Sequence, residues 1–133
     1  MLLHLVNMSQ VIIEAGSHEI SFEVEIARTP EEREKGLMYR DFLEPNFGML
    51  FIFEEPKVVN FWMKHTKIPL DIIFIGENLN ILHIEEHANP CLDTNANCPL
   101  YPSELPIKYA LEINAGLVKE KHIEVGVVVT LEV

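Results

Sequence analysis

Hydrophobic and polar residues alternate without a break over residues 19–26. Successive side chains of a strand point to opposite faces, so this pattern predicts a strand with one buried face. Other apolar segments bounded by turn residues predict further strands at 9–15, 48–53, 58–63, 70–75, 80–87, 108–113 and 127–133. Three of these runs, at 48–53, 58–63 and 70–75, are apolar at nearly every position, which favours burial on both faces.

Two short helices are predicted between the strands. Thr29 suits the N-cap of the first helix, Pro30 its first position, and Glu32 completes a capping box. Asn114 is predicted to cap a second helix through residues 117–118. Because short turns join most strands, the predicted fold class is mainly β (β-rich α+β). It is a compact, mostly antiparallel, barrel-like sheet of about eight strands with two short helices.

The length indicates a single domain over residues 1–133, in which residues 1–8 are a frayed or non-native start. Residues 89–106 hold four of the eight prolines and both cysteines. They are predicted to form a long loop that covers a site, since long loops in compact domains are often functional.

The formal net charge of −11 disfavours binding to nucleic acids, and no apolar window is long enough to span a membrane. The start of the sequence lacks the basic and small-residue features of a signal peptide, so a cytoplasmic location is expected. The alternative is an extracytoplasmic protein with a truncated N-terminus. Glycine motifs for nucleotides and a serine nucleophile elbow are absent from the sequence, and no cofactor is predicted.

The strongest indication of a site is the segment 60–71, which joins two apolar runs, contains the only tryptophan and ends in Asp71. A polar segment between two buried strands places polar groups beside the core, where a small polar ligand or a partner peptide can bind. The predicted ligand-binding residues are Arg40, Trp62, Lys64, His65, Thr66 and Asp71. Trp62 either forms an aromatic wall with Tyr39, Phe61 and Met63 or packs in the core.

Three residues are candidates for catalysis: Asp71, Glu112 and Cys91. Asp71 is a general base or a ligand anchor, or it accepts hydrogen bonds from its own turn or pairs with Arg40. Glu112 pairs with Asp71 across the mouth of a barrel for acid–base chemistry, or it is exposed, or it forms a buried salt bridge with Arg28 or Arg40.

Cys91 has three interpretations. It is a nucleophile with His65, His83 or His87 as its base, a disulfide partner of Cys98, or an inert buried thiol. The residues His83, Glu85 and His87 share one face of a predicted strand and are weak candidates for a metal site. The simpler interpretation of this face is that it is solvated, so no metal is predicted.

Three ordered motifs resemble a known family. They are Gly36-Leu37-Met38-x-Arg40, Gly48-Met49-Leu50-Phe51-x-Phe53 and Phe61-Trp62-Met63-x-x-Thr66-x-x-Pro69-Leu70-Asp71. Together with Pro90-Cys91 and Leu111-Glu112-x-x-x-Gly116, they resemble domain-of-unknown-function family 192, also called uncharacterised protein family 0127. The resemblance covers about residues 22–129 and departs at His65. It implies a compact β-rich domain and a site at these motifs, without a particular chemistry.

The sequence therefore predicts a binding or accessory module for a small polar ligand or a partner peptide at the Trp62–Asp71 segment. One alternative is a hydrolase or lyase that uses Asp71 as base, with Arg40 or Lys64 binding an anionic group. The other is a protein-interaction domain that uses an exposed strand edge, at residues 80–87 or at the C-terminus.

Overall fold

The computed structural model describes residues 9–92 and 97–133, so the predictions for residues 1–8 and for the tip of the cysteine loop lie outside it. In these ranges the chain forms nine strands and two short helices. In chain order they are β1 (Gln10–Ala15), β2 (His18–Ala27), α1 (Pro30–Lys35), β3 (Phe47–Lys57), β4 (Asn60–Trp62), β5 (Leu70–Ile75), β6 (Ile81–Ala88), β7 (Leu100–Pro102), β8 (Ile107–Asn114), α2 (Leu117–Glu120) and β9 (Val129–Glu132). The mainly β class is confirmed.

Seven strands form one sheet in the order β6-β5-β8-β3-β2-β1-β9, and β4 and β7 form a separate two-stranded ladder. All neighbours in the large sheet are antiparallel except β2 and β3. A parallel pair needs a crossover connection, and the segment that contains α1 supplies it. This crossover places α1 beside β3, and both elements line the candidate site described below.

The sheet curves toward closure but does not form a closed barrel. Its outer strands are β6 and β9, and the first residue of each donates a backbone hydrogen bond to a residue just before the other. The Ile81 amide donates to the Val127 carbonyl at 2.9 Å, and the Val129 amide donates to the Leu79 carbonyl at 2.8 Å. No ladder in the described chain joins β6 itself to β9, so the predicted barrel-like sheet is correct and a closed barrel is not.

Apolar side chains on both faces of the central strands build the core. All six residues of β5 are buried, as its run of apolar residues, interrupted only by Asp71, predicts. One cluster contains Met49, Phe51, Phe53, Leu70, Ile72 and Phe74. A second contains Leu50, Ile52, Ile73, Ile75, Leu111 and Ile113. Successive residues of β3 and of β5 belong alternately to the first and the second cluster. The two clusters therefore lie on opposite faces of these strands.

The two helices differ in how well their starts were predicted. The Glu32 amide donates to Thr29 Oγ1 at 3.1 Å and the Thr29 amide donates to Glu32 Oε1 at 3.0 Å, so the capping box is confirmed. The predicted cap of α2 is wrong, because α2 begins at Leu117 with Gly116 at its N-cap. Asn114 Nδ2 instead donates to the Leu43 carbonyl at 2.6 Å. Neither helix has the length and hydrophobicity that a membrane-spanning helix needs.

Candidate functional site

The segment that follows β4 is fixed by the residues around Cys91. The His65 amide donates to the Cys91 carbonyl at 3.0 Å, and the Cys91 amide donates to the Met63 carbonyl at 3.2 Å. Cys91 forms a disulfide with Cys98. The disulfide interpretation of Cys91 is the one that the structure shows, and an oxidised Cys91 has no thiolate to act as a nucleophile.

A pocket of about 410 Å³ opens between α1, β3, β4 and β8. Its inner wall is made of buried side chains, namely Leu37, Phe51, Phe53, Val59, Thr66 and Glu112. Exposed or half-buried side chains surround its mouth, among them Arg33, Glu34, Lys35, Lys57, Asn60 and Trp62. An apolar concave surface with a few polar groups directed into it is typical of a small-molecule site.

Glu112 is the buried carboxyl of this pocket and is only 4 % exposed. It lies in the middle of β8, opposite Met49 of β3 and Ile72 of β5, so its side chain is on the face of the first apolar cluster. Within the described chain its carboxyl has no hydrogen bond and no ion pair. Desolvation raises the pKa of Glu112 to about 8. The carboxyl is therefore mostly protonated at neutral pH and can donate a hydrogen bond.

The alternatives that made Glu112 exposed or ion-paired are wrong. Glu112 is buried, and the Arg40 guanidinium instead forms a bidentate pair with Glu25, in which Arg40 Nη2 lies 2.8 Å from Glu25 Oε1. Hydrogen bonding and the charge of Arg40 lower the pKa of Glu25. Arg40 therefore lies outside the pocket and does not contact Asp71.

Asp71 is fully buried and accepts three hydrogen bonds from backbone amides. The His87 amide donates to Oδ1 at 2.8 Å, and the amides of Gly116 and Val118 donate to Oδ2 at 3.0 and 2.9 Å. These contacts join β5 to the end of β6 and the start of α2. Because Asp71 lies opposite Ile113 whereas Glu112 lies opposite Ile72, the two carboxylates point to opposite faces of the sheet. They do not form the predicted pair.

The other predicted ligand-binding residues divide between two neighbouring pockets. Trp62 and Thr66 line the same pocket as Glu112. Lys64 and His65 line an adjacent pocket of about 380 Å³, which also shares Trp62. The Lys64 ammonium lies 5.1 Å from the centroid of the Trp62 ring. The segment 60–71 thus contributes four of its predicted residues to the lining of these two pockets. Asp71 lines neither pocket and instead accepts the backbone hydrogen bonds described above.

The polar face of β6 does not assemble a metal site. His83 Nε2 lies 3.2 Å from Glu85 Oε1, and the His83 ring stacks on Phe74. His87 adopts a φ of 57°, which interrupts the alternation that was expected to align the three side chains. Among the described residues no three His, Cys, Asp or Glu side chains are arranged to hold a metal.

Phe61 and Trp62 were predicted as members of an aromatic wall, but the sequence did not identify the cations at the mouth of the pocket or the rings of Phe51 and Phe53 inside it. Arg33 and Lys35 lie on α1, which was predicted only as a structural element, and Lys57 ends β3, beyond the strand that was predicted at 48–53. Phe51 and Phe53 were assigned to a strand buried on both faces. Their spacing of two was the available signal, since it places both rings on one face.

Comparison with known proteins identifies relatives along nearly the whole chain. The sequence profile of family DUF192, described as "Uncharacterized ACR", matches residues 11–131, which confirms the resemblance. The crystal structure of a "putative transcription regulator" from Sinorhizobium meliloti 1021 has 35 % identity and a TM-score of 0.85, over 96 % of this chain and 97 % of that chain. A protein of unknown function from Novosphingobium aromaticivorans DSM 12444 has 36 % identity and a TM-score of 0.84, over 91 % and 83 %. Comparison with curated proteins finds no match.

Proposed function

Since the chain belongs to family DUF192, whose description names no activity, we propose from the geometry that it is a module that binds a small ligand in the Glu112 pocket. The observation that carries this proposal is the buried carboxyl of Glu112, which has no polar partner within the described chain and lines a pocket of about 410 Å³. A carboxyl in the wall of an open pocket can be reached from the pocket, so a ligand can make a hydrogen bond to it that the described chain does not make.

The hydrogen bonds of Asp71 weigh against the enzyme alternative in which it acts as base. A base must accept a proton from a substrate, whereas both Asp71 oxygens already accept backbone N–H bonds and the side chain is fully buried. Glu112 is the better acid–base candidate if the ligand is also a substrate, because its pKa of about 8 lies near neutral pH. Binding is nevertheless the simpler role, since the other carboxylate in the described lining of the pocket, Glu34, is exposed at its mouth.

The description of the Sinorhizobium relative raises DNA as a partner, and the charge of this chain opposes it. A net charge of −11 repels the phosphate backbone, which supplies most of the affinity of DNA-binding proteins. We therefore assign the pocket to a small molecule and not to nucleic acid. A partner peptide is the second occupant that suits this site. The paired residues Trp62 and Leu100 at the end of the β4–β7 ladder are exposed and apolar, so apolar side chains of a peptide could pack against them.

We also propose an oxidising, extracytoplasmic compartment for this chain. The Cys91–Cys98 disulfide supports this proposal, because the cytoplasm generally keeps thiols reduced. Thiol labelling of the protein in intact cells of its source tests the compartment. Rapid labelling of both cysteines would overturn it.

A fragment screen by ¹H–¹⁵N NMR tests the binding function. Fragments that bind should shift the amide signals of residues around the pocket. The substitution Trp62→Ala should weaken the affinity for these fragments at least fivefold. Phe42→Ala is the matched control, because Phe42 is a 69 % exposed aromatic residue that lines neither pocket of this surface. The proposal fails if no fragment maps to the pocket, or if the two variants weaken binding equally.

A further inference from the structure

The mouth of the Glu112 pocket has a charge opposite to that of the whole chain. Arg33, Lys35 and Lys57 line it, against the single exposed acid Glu34. The whole chain has 10 basic and 21 acidic residues, so three of its ten cations lie at one opening. Cations gathered at a concave surface attract anions locally, even where the net charge of the protein is negative.

These cations are positioned beside an aromatic wall. Arg33 Nη1 donates to the Ile52 carbonyl at 3.0 Å, and the Arg33 guanidinium lies 4.9 Å from the centroid of the Phe53 ring. The Lys57 ammonium lies 5.5 Å from the same centroid. Neither Lys35 nor Lys57 has an ion pair in the described chain, so both ammonium groups are available to a ligand.

The inner wall is suited to a planar apolar group. The rings of Phe51 and Phe61 pack edge to face with their centroids 4.9 Å apart. The rings of Phe53 and Phe61 pack in the same way with their centroids 6.4 Å apart. Edge-to-face aromatic packing is favourable, and another ring can continue the arrangement. Beyond these rings the pocket reaches Glu112, whose carboxyl is the buried ionisable group of its lining.

We propose that the pocket binds a small aromatic anion, with its charged group among Arg33, Lys35 and Lys57 and a hydroxyl or carbonyl at its other end hydrogen-bonded to Glu112. This inference rests on the proposed binding function and names the ligand class. The cations select the charge, the phenylalanine rings select the planar body, and the carboxyl selects the polar end. A cationic ligand is disfavoured, because it would have to pass the three cations at the mouth.

Three related probes separate these contributions in calorimetric titrations at pH 6.5. The probes are 4-hydroxybenzoate, its neutral methyl ester and benzoate, which lacks the hydroxyl. The expected order is 4-hydroxybenzoate tightest, the ester at least tenfold weaker and benzoate several-fold weaker. Raising the salt concentration should weaken only the two anions.

Two variants with matched controls assign the effects to residues. Lys57→Met should weaken 4-hydroxybenzoate several-fold, whereas Lys119→Met, at an exposed lysine on α2, should not. Glu112→Leu should abolish the preference for 4-hydroxybenzoate over benzoate, whereas Glu112→Gln, which keeps an N–H donor, should retain it. Circular dichroism should show that each variant is folded before it is titrated.

Different outcomes would overturn the proposed ligand class and the binding function on which it rests. Equal affinities for the acid and the ester, or no effect of Lys57→Met, would overturn the anionic class while the pocket still binds fragments. A preference for the hydroxyl that survives Glu112→Leu would overturn the role of Glu112. If neither these probes nor any neutral fragment binds, the proposed function itself fails.

Discussion

The substitution Glu112→Gln should make the free energy of unfolding less dependent on pH. Burial raises the pKa of Glu112 from 4.5 to about 8 in the folded protein, and unfolding returns it to the ordinary value. Between these pH values the folded protein keeps a proton that the unfolded chain releases. Stability is therefore lost as the pH rises from 4.5 to about 8, and it changes no further through this group above that range.

The size of this loss follows from the interval between the two pKa values. The interval is about 3.5 pH units, and at about 1.4 kcal/mol per unit it amounts to roughly 5 kcal/mol. Glutamine has nearly the same shape and stays neutral, so the variant does not suffer the loss. Relative to wild type, its free energy of unfolding should rise by roughly 5 kcal/mol between pH 4.5 and 9. This is a large share of the 5–15 kcal/mol typical of a domain.

Urea denaturation at pH 5, 6, 7, 8 and 9 measures the effect, with the fluorescence of Trp62 as the signal. The control is Glu124→Gln, which neutralises an exposed glutamate. Groups that titrate elsewhere act equally on wild type and variant, so the difference between the two isolates Glu112. If that difference is the same at pH 5 and pH 9, Glu112 is not held in a desolvated environment, and the pocket as described is wrong.

Three further substitutions test the framework of the site. Asp71→Asn should lower the free energy of unfolding by about 2–4 kcal/mol in urea, because three backbone N–H groups lose a charged acceptor; unchanged stability would refute the bracing role. Gly48→Ala should cost about 3 kcal/mol or more, because its Cβ would lie 2.5 Å from the Glu112 carbonyl oxygen. A melting temperature within 2 °C of wild type would contradict this contact. Cys98→Ser should cost roughly 2.5 kcal/mol by loop-closure entropy, and reductant should bring wild type to the same melting temperature. A reductant effect that persists in the variant would refute the disulfide.

The sequence predicted the strands well because their signals are local. The alternation over 19–26 lies within β2, and the six-residue apolar run of 70–75 coincides with β5. The capping box of α1 was likewise readable, because Thr29 and Glu32 are three residues apart and satisfy each other. The run 58–63 was less informative, because only Asn60–Trp62 pairs, and its partner β7 lies inside the predicted loop.

The environment of Glu112 could not be predicted, because it depends on which strands flank β8. The sequence shows Glu112 between two apolar residues, and on an edge strand that pattern gives an exposed carboxylate. In the fold, β8 lies between β3 and β5, so Glu112 has the buried residues Met49 and Ile72 beside it on the face of the first apolar cluster. The order of strands follows from pairings between distant segments, which a local pattern does not contain.

The contrast between Asp71 and Glu112 shows how one sheet gives two carboxylates different roles. They lie on neighbouring strands in adjacent rungs, and the pleat directs Asp71 to one face and Glu112 to the other. On its face Asp71 meets the amides of Gly116 and Val118, so its charge is compensated by the backbone and braces the fold. On the other face Glu112 meets apolar side chains and a cavity, so its proton is retained, and we propose that its hydrogen-bonding capacity serves a ligand. If this account is correct, exchanging the acids for their amides should separate the two properties: the Asp71 variant loses stability, whereas the Glu112 variant loses the dependence of stability on pH.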